Sequence, residues 1–264
     1  PTPAELAEAV ENPGRHFEPL VLMRSGRSGP PLFLIHSIWG DVLGMRQLTA
    51  AMESDVPVYG VRARGLNPGE EPQRTVEEMA ASYVEVIRGV QPEGPYRLAG
   101  HSFGGLPAFE IARLLSEQGE EVDWLGVIDA ELSTAAHPPA RRWGHRLALP
   151  FHYARAALRD PRRAVRFVLR RDDWAEGPQE GNERLAEVFL AAGAAYRPRP
   201  YSGSMTYFLP TVRRFHLFAD PLPVWRRVTA GEVEIERVPG PHVGMISGDG
   251  AQVIAGMIDR HLGD

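Results

Sequence analysis

Short runs of apolar residues, rich in β-branched and aromatic side chains, alternate along this chain with stretches whose apolar positions recur every three or four residues. The first pattern predicts strands at Leu20–Met23, Leu32–His36, Val56–Val61, Tyr96–Gly100, Trp124–Ile128, Met205–Leu209 and Val233–Val238. The second predicts helices over Thr75–Val90, Leu43–Met52, Leu106–Gln118 and Gln252–His261, and a shorter one over Pro3–Glu11. In Thr75–Val90 the residues Val76, Met79, Ala80, Tyr83, Val86, Ile87 and Val90 share one face, and Thr75 with Glu78 reads as a capping box. Strand and helix in alternation give an α/β fold, a mostly parallel central sheet flanked by helices. With 264 residues, 43% of them hydrophobic, residues 1–264 read as one domain.

The alternation stops between Glu131 and Pro200. That interval reads as two or three helices punctuated by Pro138, Pro139, Pro150 and Pro161, an all-helical lid inserted over roughly residues 132–200. From Arg141 to Arg171 it carries ten Arg and a single acid, Asp160. Arg162, Arg166 and Arg170 fall at i, i+4 and line one helix face. Two readings stay open for that face: a solvated surface, or a docking surface for an acidic partner. The chain as a whole carries a formal net charge of -5, so nucleic acid is not the expected partner.

Composition narrows the chemistry. There is no Cys, which removes disulfides, thiolate metal sites and a thiol nucleophile, and all 29 basic residues are Arg, which removes lysine Schiff bases and a P-loop lysine. A formal net charge of -5 makes no case for a polyanionic partner. No apolar run approaches the roughly 18 residues that span a bilayer, and no signal-peptide pattern opens the chain, so the expectation is cytoplasmic, with no membrane partner. The chain starts on Pro1 rather than Met, as a domain of a longer polypeptide would.

Gly100-His101-Ser102-Phe103-Gly104 fits G-x-S-x-G, with an apolar strand entering and an amphipathic helix leaving. That setting is the one a nucleophile elbow needs: Ser on a strained turn, and glycines at 100 and 104 where side chains would strike the neighbouring strand and helix. Ser102 is therefore the candidate nucleophile. A serine hydroxyl needs a base, and the base an orienting acid. His242, in the Gly/Pro loop that follows the last strand, is the candidate base. Asp129, a lone acid ending an apolar strand, is the favoured acid. Asp220 is the alternative, although it precedes Pro221 and could simply cap the next helix. Two backbone N–H groups would form the oxyanion hole, those of Phe103 and, in the loop after the second strand, Ile38. No metal is expected in this chemistry.

These residues resemble the thioesterase domains that terminate nonribosomal peptide and polyketide assembly lines. The likeness is carried by Pro30–His36, by Gly94–Gly105 continuing through Ala108–Ala112, by Gly126–Asp129, and by Val238–His242. It implies an α/β-hydrolase fold with a helical lid between strands six and seven, and a triad acid after the sixth strand. It also implies an acyl or peptidyl chain carried on the phosphopantetheine arm of a carrier domain, with no cofactor bound by the chain itself. Release would be by hydrolysis or macrocyclisation. The carrier is expected upstream, in the same polypeptide, and acidic enough for Arg162, Arg166 and Arg170 to dock. The N-terminal segment is too short for the dimerising helices of polyketide terminators, which points to a monomer of the peptide type. The chain departs from the family's His-Pro-x-Gly-Gly, with Ser37 for Pro and Trp39 for the first Gly, and Trp39 is placed at the acyl entrance. A free-standing editing (type II) thioesterase, a carboxylesterase of soluble esters and a non-catalytic binding module are the alternatives.

Overall fold

The computed structural model describes residues 19–67, 69–132, 182–212 and 220–263. Seven strands form one sheet: β1 (Leu20–Arg24), β2 (Leu32–Ile35), β3 (Val58–Val61), β4 (Tyr96–His101), β5 (Val122–Ile128), β6 (Met205–Val212) and β7 (Val233–Pro241). Their order is β1-β3-β2-β4-β5-β6-β7, with β1 antiparallel to β3 and the other pairs parallel. Every residue of β2 and β4 is buried, which is why β2 reads as an unbroken apolar run and β4 as a mostly apolar one, interrupted by Arg97 and His101.

The helices among the described residues are α1 (Arg46–Ala51), α2 (Val76–Arg88), α3 (Gly105–Glu117), α4 (Glu183–Ala195), α5 (Leu222–Val228) and α6 (Gly248–Leu262). Phe33 and Ile35 face one core with side chains of α2, α3, α4 and α5, whereas Leu32 and Leu34 face the other with those of α1 and α6. The Thr75 hydroxyl caps α2 by accepting from the Glu78 N–H at 3.1 Å, and the Glu78 carboxylate reaches back to the Arg74 N–H at 3.0 Å, one residue before the cap.

Strand order reverses between β2 and β4. The chain leaves β2 toward β3 on one side, then crosses back to place β4 on the other. Loops after the two strands therefore part, and in parallel sheets the crevice opened at such a point is where ligands bind. The loop at His36–Asp41 and the turn at Ser102 flank it. The interval carrying the expected lid lies between the fifth and sixth of these seven strands, one earlier than the family's count. Of that interval α4 is described, while most of it, with Arg162, Arg166 and Arg170, lies outside the described residues, as does Pro3–Glu11.

Candidate active site

β4 ends in a turn too tight for side chains. A Cβ on Gly100 would strike the Gly104 carbonyl, and one on Gly104 would strike the carbonyls of Ile35 and His36 at the end of β2. A short 3-10 turn, Ser102–Gly104, then runs straight into α3. Ser102 sits in it at φ 57°, and Asp129, just past the end of β5, at φ 44°. Among the described residues these are the two non-glycine positions in the left-handed region, where L side chains cost energy and persist only under outside constraint.

The constraint on Asp129 is visible. Its N–H donates to the Phe208 carbonyl at 3.0 Å, and the next carbonyl, Ala130, accepts from the Tyr207 hydroxyl at 3.0 Å and the Trp225 Nε1–H at 3.1 Å. Asp129 itself is buried, and its Oδ2 accepts from His242 Nδ1 at 2.7 Å. With Nδ1 carrying the proton toward the carboxylate, Nε2 is left as the basic nitrogen. Asp220 does something else: it is exposed, and its Oδ1 accepts from the Leu222 N–H at 3.1 Å at the start of α5.

His101 stacks on His242, ring centroids 4.6 Å apart. Its Nε2–H donates to the His242 carbonyl at 3.3 Å, and burial first, then the neighbouring His242, hold its pKa well below the ordinary value. Facing the elbow, Ile38 is buried in the turn Ser37–Gly40, closed by the Gly40 N–H on the Ser37 carbonyl at 3.0 Å. Trp39 is half-buried, and its carbonyl accepts from Asn182 Nδ2 at 3.1 Å, tying the loop to the approach of α4. Phe103 is buried against Phe189 of α4, the rings 5.0 Å apart and nearly parallel at 5°. His36 joins this stack with Phe189 at 5.1 Å, and its Nε2 meets the Tyr83 hydroxyl of α2 at 2.7 Å.

Sequence reading placed Tyr83 merely on an apolar helix face and gave His36, Phe189, Tyr207 and Trp225 no part in the site. A histidine ending an apolar strand beside the crevice was the one available signal. On β7 and the last turn of α6, Glu234, Glu236 and His261 bring possible ligand atoms within 4.8 Å of one another. Glu236 already pairs with Arg260 at 3.3 Å there. No helix among the described residues is long and apolar enough to cross a membrane.

A mostly parallel sheet flanked by helices, with a strand–turn–helix elbow at its switch point, defines an α/β-hydrolase. Within that class the chain belongs to the thioesterase domain family, whose model matches residues 30–262. It is 42% identical over 243 residues to the nonribosomal peptide synthetase btyA of Aspergillus terreus, covering 88% of this chain and 23% of that protein. It is 30% identical over 272 residues to the malpibaldin synthetase of Mortierella alpina, covering 99% of this chain and 5% of that one. The chain thus spans less than a quarter of these relatives' length. Among solved structures, the NocB thioesterase domain matches with TM-score 0.64 and 26% identity, covering 90% of this chain and 96% of that one. The RedJ thioesterase of Streptomyces coelicolor shares the fold, with TM-score 0.64 and 23% identity over 88% and 90% of the two chains. Family and fold indicate a hydrolase domain.

Proposed function

We propose that this domain ends an assembly line: it takes an acyl or peptidyl chain from a carrier's phosphopantetheine thioester onto Ser102 and releases it. The observation that carries the reading is the 2.7 Å hydrogen bond from His242 Nδ1 to a buried Asp129 that, like Ser102, is held in a left-handed conformation. His242 Nε2 takes the Ser102 hydroxyl proton as Oγ attacks the thioester carbonyl carbon. The resulting oxyanion accepts from the Phe103 and Ile38 amides. Collapse breaks the C–S bond, and the departing thiolate takes its proton from the His242 imidazolium. Water, or an amine or hydroxyl of the bound chain, then attacks the Ser102 ester. It gives its proton to His242, which returns it to Oγ; the product is an acid or a ring.

The carrier is read as an upstream domain of the same polypeptide, because the curated relatives are synthetases many times longer than this chain. Covalent capture has a precedent in a relative: the NocB thioesterase domain forms a covalent complex with a fluorophosphonate nocardicin G analogue. Intact-mass spectrometry after mixing the protein with an acyl-pantetheine thioester tests the reading. An acyl adduct is expected on the wild type and none on Ser102→Ala. An equal adduct on the variant, or none on either, overturns it. The released product distinguishes acid from ring in the same experiment.

A further inference from the structure

We propose that His36 is a positioning residue that locks the Ser37–Ile38 peptide so that its N–H faces the reacting carbonyl. The proposal rests on the reading of Ile38 as an oxyanion donor. In a trans peptide the carbonyl of one residue and the N–H of the next lie on opposite edges of one plane, so fixing the first aims the second. The Ser37 carbonyl is held twice, by His36 Nδ1 at 2.7 Å and by the Gly40 N–H at 3.0 Å. A carbonyl only accepts, so Nδ1 carries the proton.

The ring that holds this carbonyl is itself held. His36 is fully buried, and burial lowers its pKa to about 4, so it is neutral at pH 7. Nε2 is then an acceptor, filled by the Tyr83 hydroxyl at 2.7 Å, and Tyr83, whose phenol is pushed up by burial, keeps its proton to donate. Hydroxyl, tautomer and carbonyl form one chain from α2 to the loop. Phe189 and Phe103 lie along the ring with centroids at 5.1 and 6.1 Å, which sets its plane. A flipped Ser37–Ile38 peptide would lose both donors to its carbonyl and turn a carbonyl, not an N–H, toward the site. Where the family pattern has a φ-restricting Pro, this chain has Ser37, and the His36–Tyr83 pair supplies the restraint from outside the loop.

Four single variants and one double variant test this, assayed with an acyl-pantetheine thioester and by thermal melting. His36→Asn keeps an N–H donor near the Nδ1 position and is expected to retain kcat, whereas His36→Gln reaches only the Nε2 position. His36→Gln should lose kcat about 10²-fold, as for a missing oxyanion donor, with KM little changed and a melting point like that of His36→Asn. Tyr83→Phe frees the other tautomer and should cost about tenfold in kcat, the worth of one hydrogen bond. Equal kcat for His36→Asn and His36→Gln, a loss that merely tracks melting, or unchanged kcat in Tyr83→Phe each overturns the proposal. Ile38→Pro, which deletes the N–H, separates the two levels. Unchanged kcat there defeats the oxyanion reading itself and the proposal with it. A large loss in Ile38→Pro beside normal kcat in His36→Gln defeats only the role of His36. Adding His36→Gln to Ile38→Pro should cause no further loss if the ring acts through that N–H.

Discussion

Tyr196, at the C-terminal end of α4, ties that helix to the one leaving the elbow. Its hydroxyl donates to Glu110 Oε2 at 2.7 Å, while Glu110 Oε1 accepts from Arg113 Nη2 at 2.6 Å and Nε at 3.1 Å. Glu110 and Arg113 are each 1% exposed and Tyr196 2%. Burial, and then the neighbouring Glu110 carboxylate, push the phenol well above its ordinary pKa, so it remains a donor. Tyr196→Phe keeps the ring and removes one hydrogen bond to a charged, dry acceptor, a loss of about 1.5–3 kcal/mol. For a chain of this size that is a melting-point drop of roughly 3–12 °C. Glu110→Ala should cost more, about 3–5 kcal/mol, because the buried Arg113 guanidinium keeps only the half-exposed Glu117. Replacing both Glu110 and Arg113 by Leu should cost less than Glu110→Ala alone, since no charge is then stranded. Urea denaturation of the full chain measures all three. Tyr196→Phe within 0.5 kcal/mol of wild type, a shift typical of surface changes, would refute the reasoning.

Asp129→Asn should lower kcat on an acyl-pantetheine thioester by about 10⁴-fold by disturbing the His242 tautomer, whereas Asp220→Asn should leave kcat alone and stability within about 0.5 kcal/mol, because an Asn Oδ1 still accepts from the Leu222 N–H. The reverse order of damage would move the acid to Asp220. His36 makes stability fall on acidification. Above pH 6.5 it is neutral folded or unfolded; below that the unfolded chain takes a proton that the native site, with its pKa lowered to about 4, refuses. The loss reaches about 2 kcal/mol at pH 5 and stops growing near pH 4. Urea titrations of wild type and His36→Asn at pH 7 and pH 5 should show that much less acid sensitivity in the variant, and parallel curves would refute it.

Strands β2, β4 and β5 were legible because most of their residues are buried and apolar, with Arg97, His101 and Asp123 the polar exceptions. Their ends were not. β6 runs to Val212 through Pro210 and β7 to Pro241 through Pro239, beyond the expected Leu209 and Val238. Pro supplies no ladder donor; among the described residues β7 lies at the sheet edge, where Pro239 and Pro241 are tolerated, and Pro210 lies beyond Phe208, the last residue of β6 in register with β5. At β3 the expectation overran, since Val56 and Pro57 precede a strand that starts at Val58. α6 begins at Gly248 rather than Gln252 because a Gly-Asp-Gly sequence reads as loop. Glu110 and Arg113 stand three residues apart on α3, and only the fold brings Tyr196 over them. In the site, the elbow and His242 carry local patterns, while the choice of Asp129 over Asp220 depends on contacts made across more than a hundred residues.

Two neighbouring strands, β4 and β5, are each followed by a residue, Ser102 and Asp129, whose backbone would be easier for glycine. Mutational change that rewarded folding alone would erode both positions toward glycine and raise stability by about 1 kcal/mol each. The proposed mechanism needs a hydroxyl at 102 and a carboxylate at 129, so the carboxyl edge of the sheet is where it would set activity against stability, and where stabilised descendants of this chain would first fall silent.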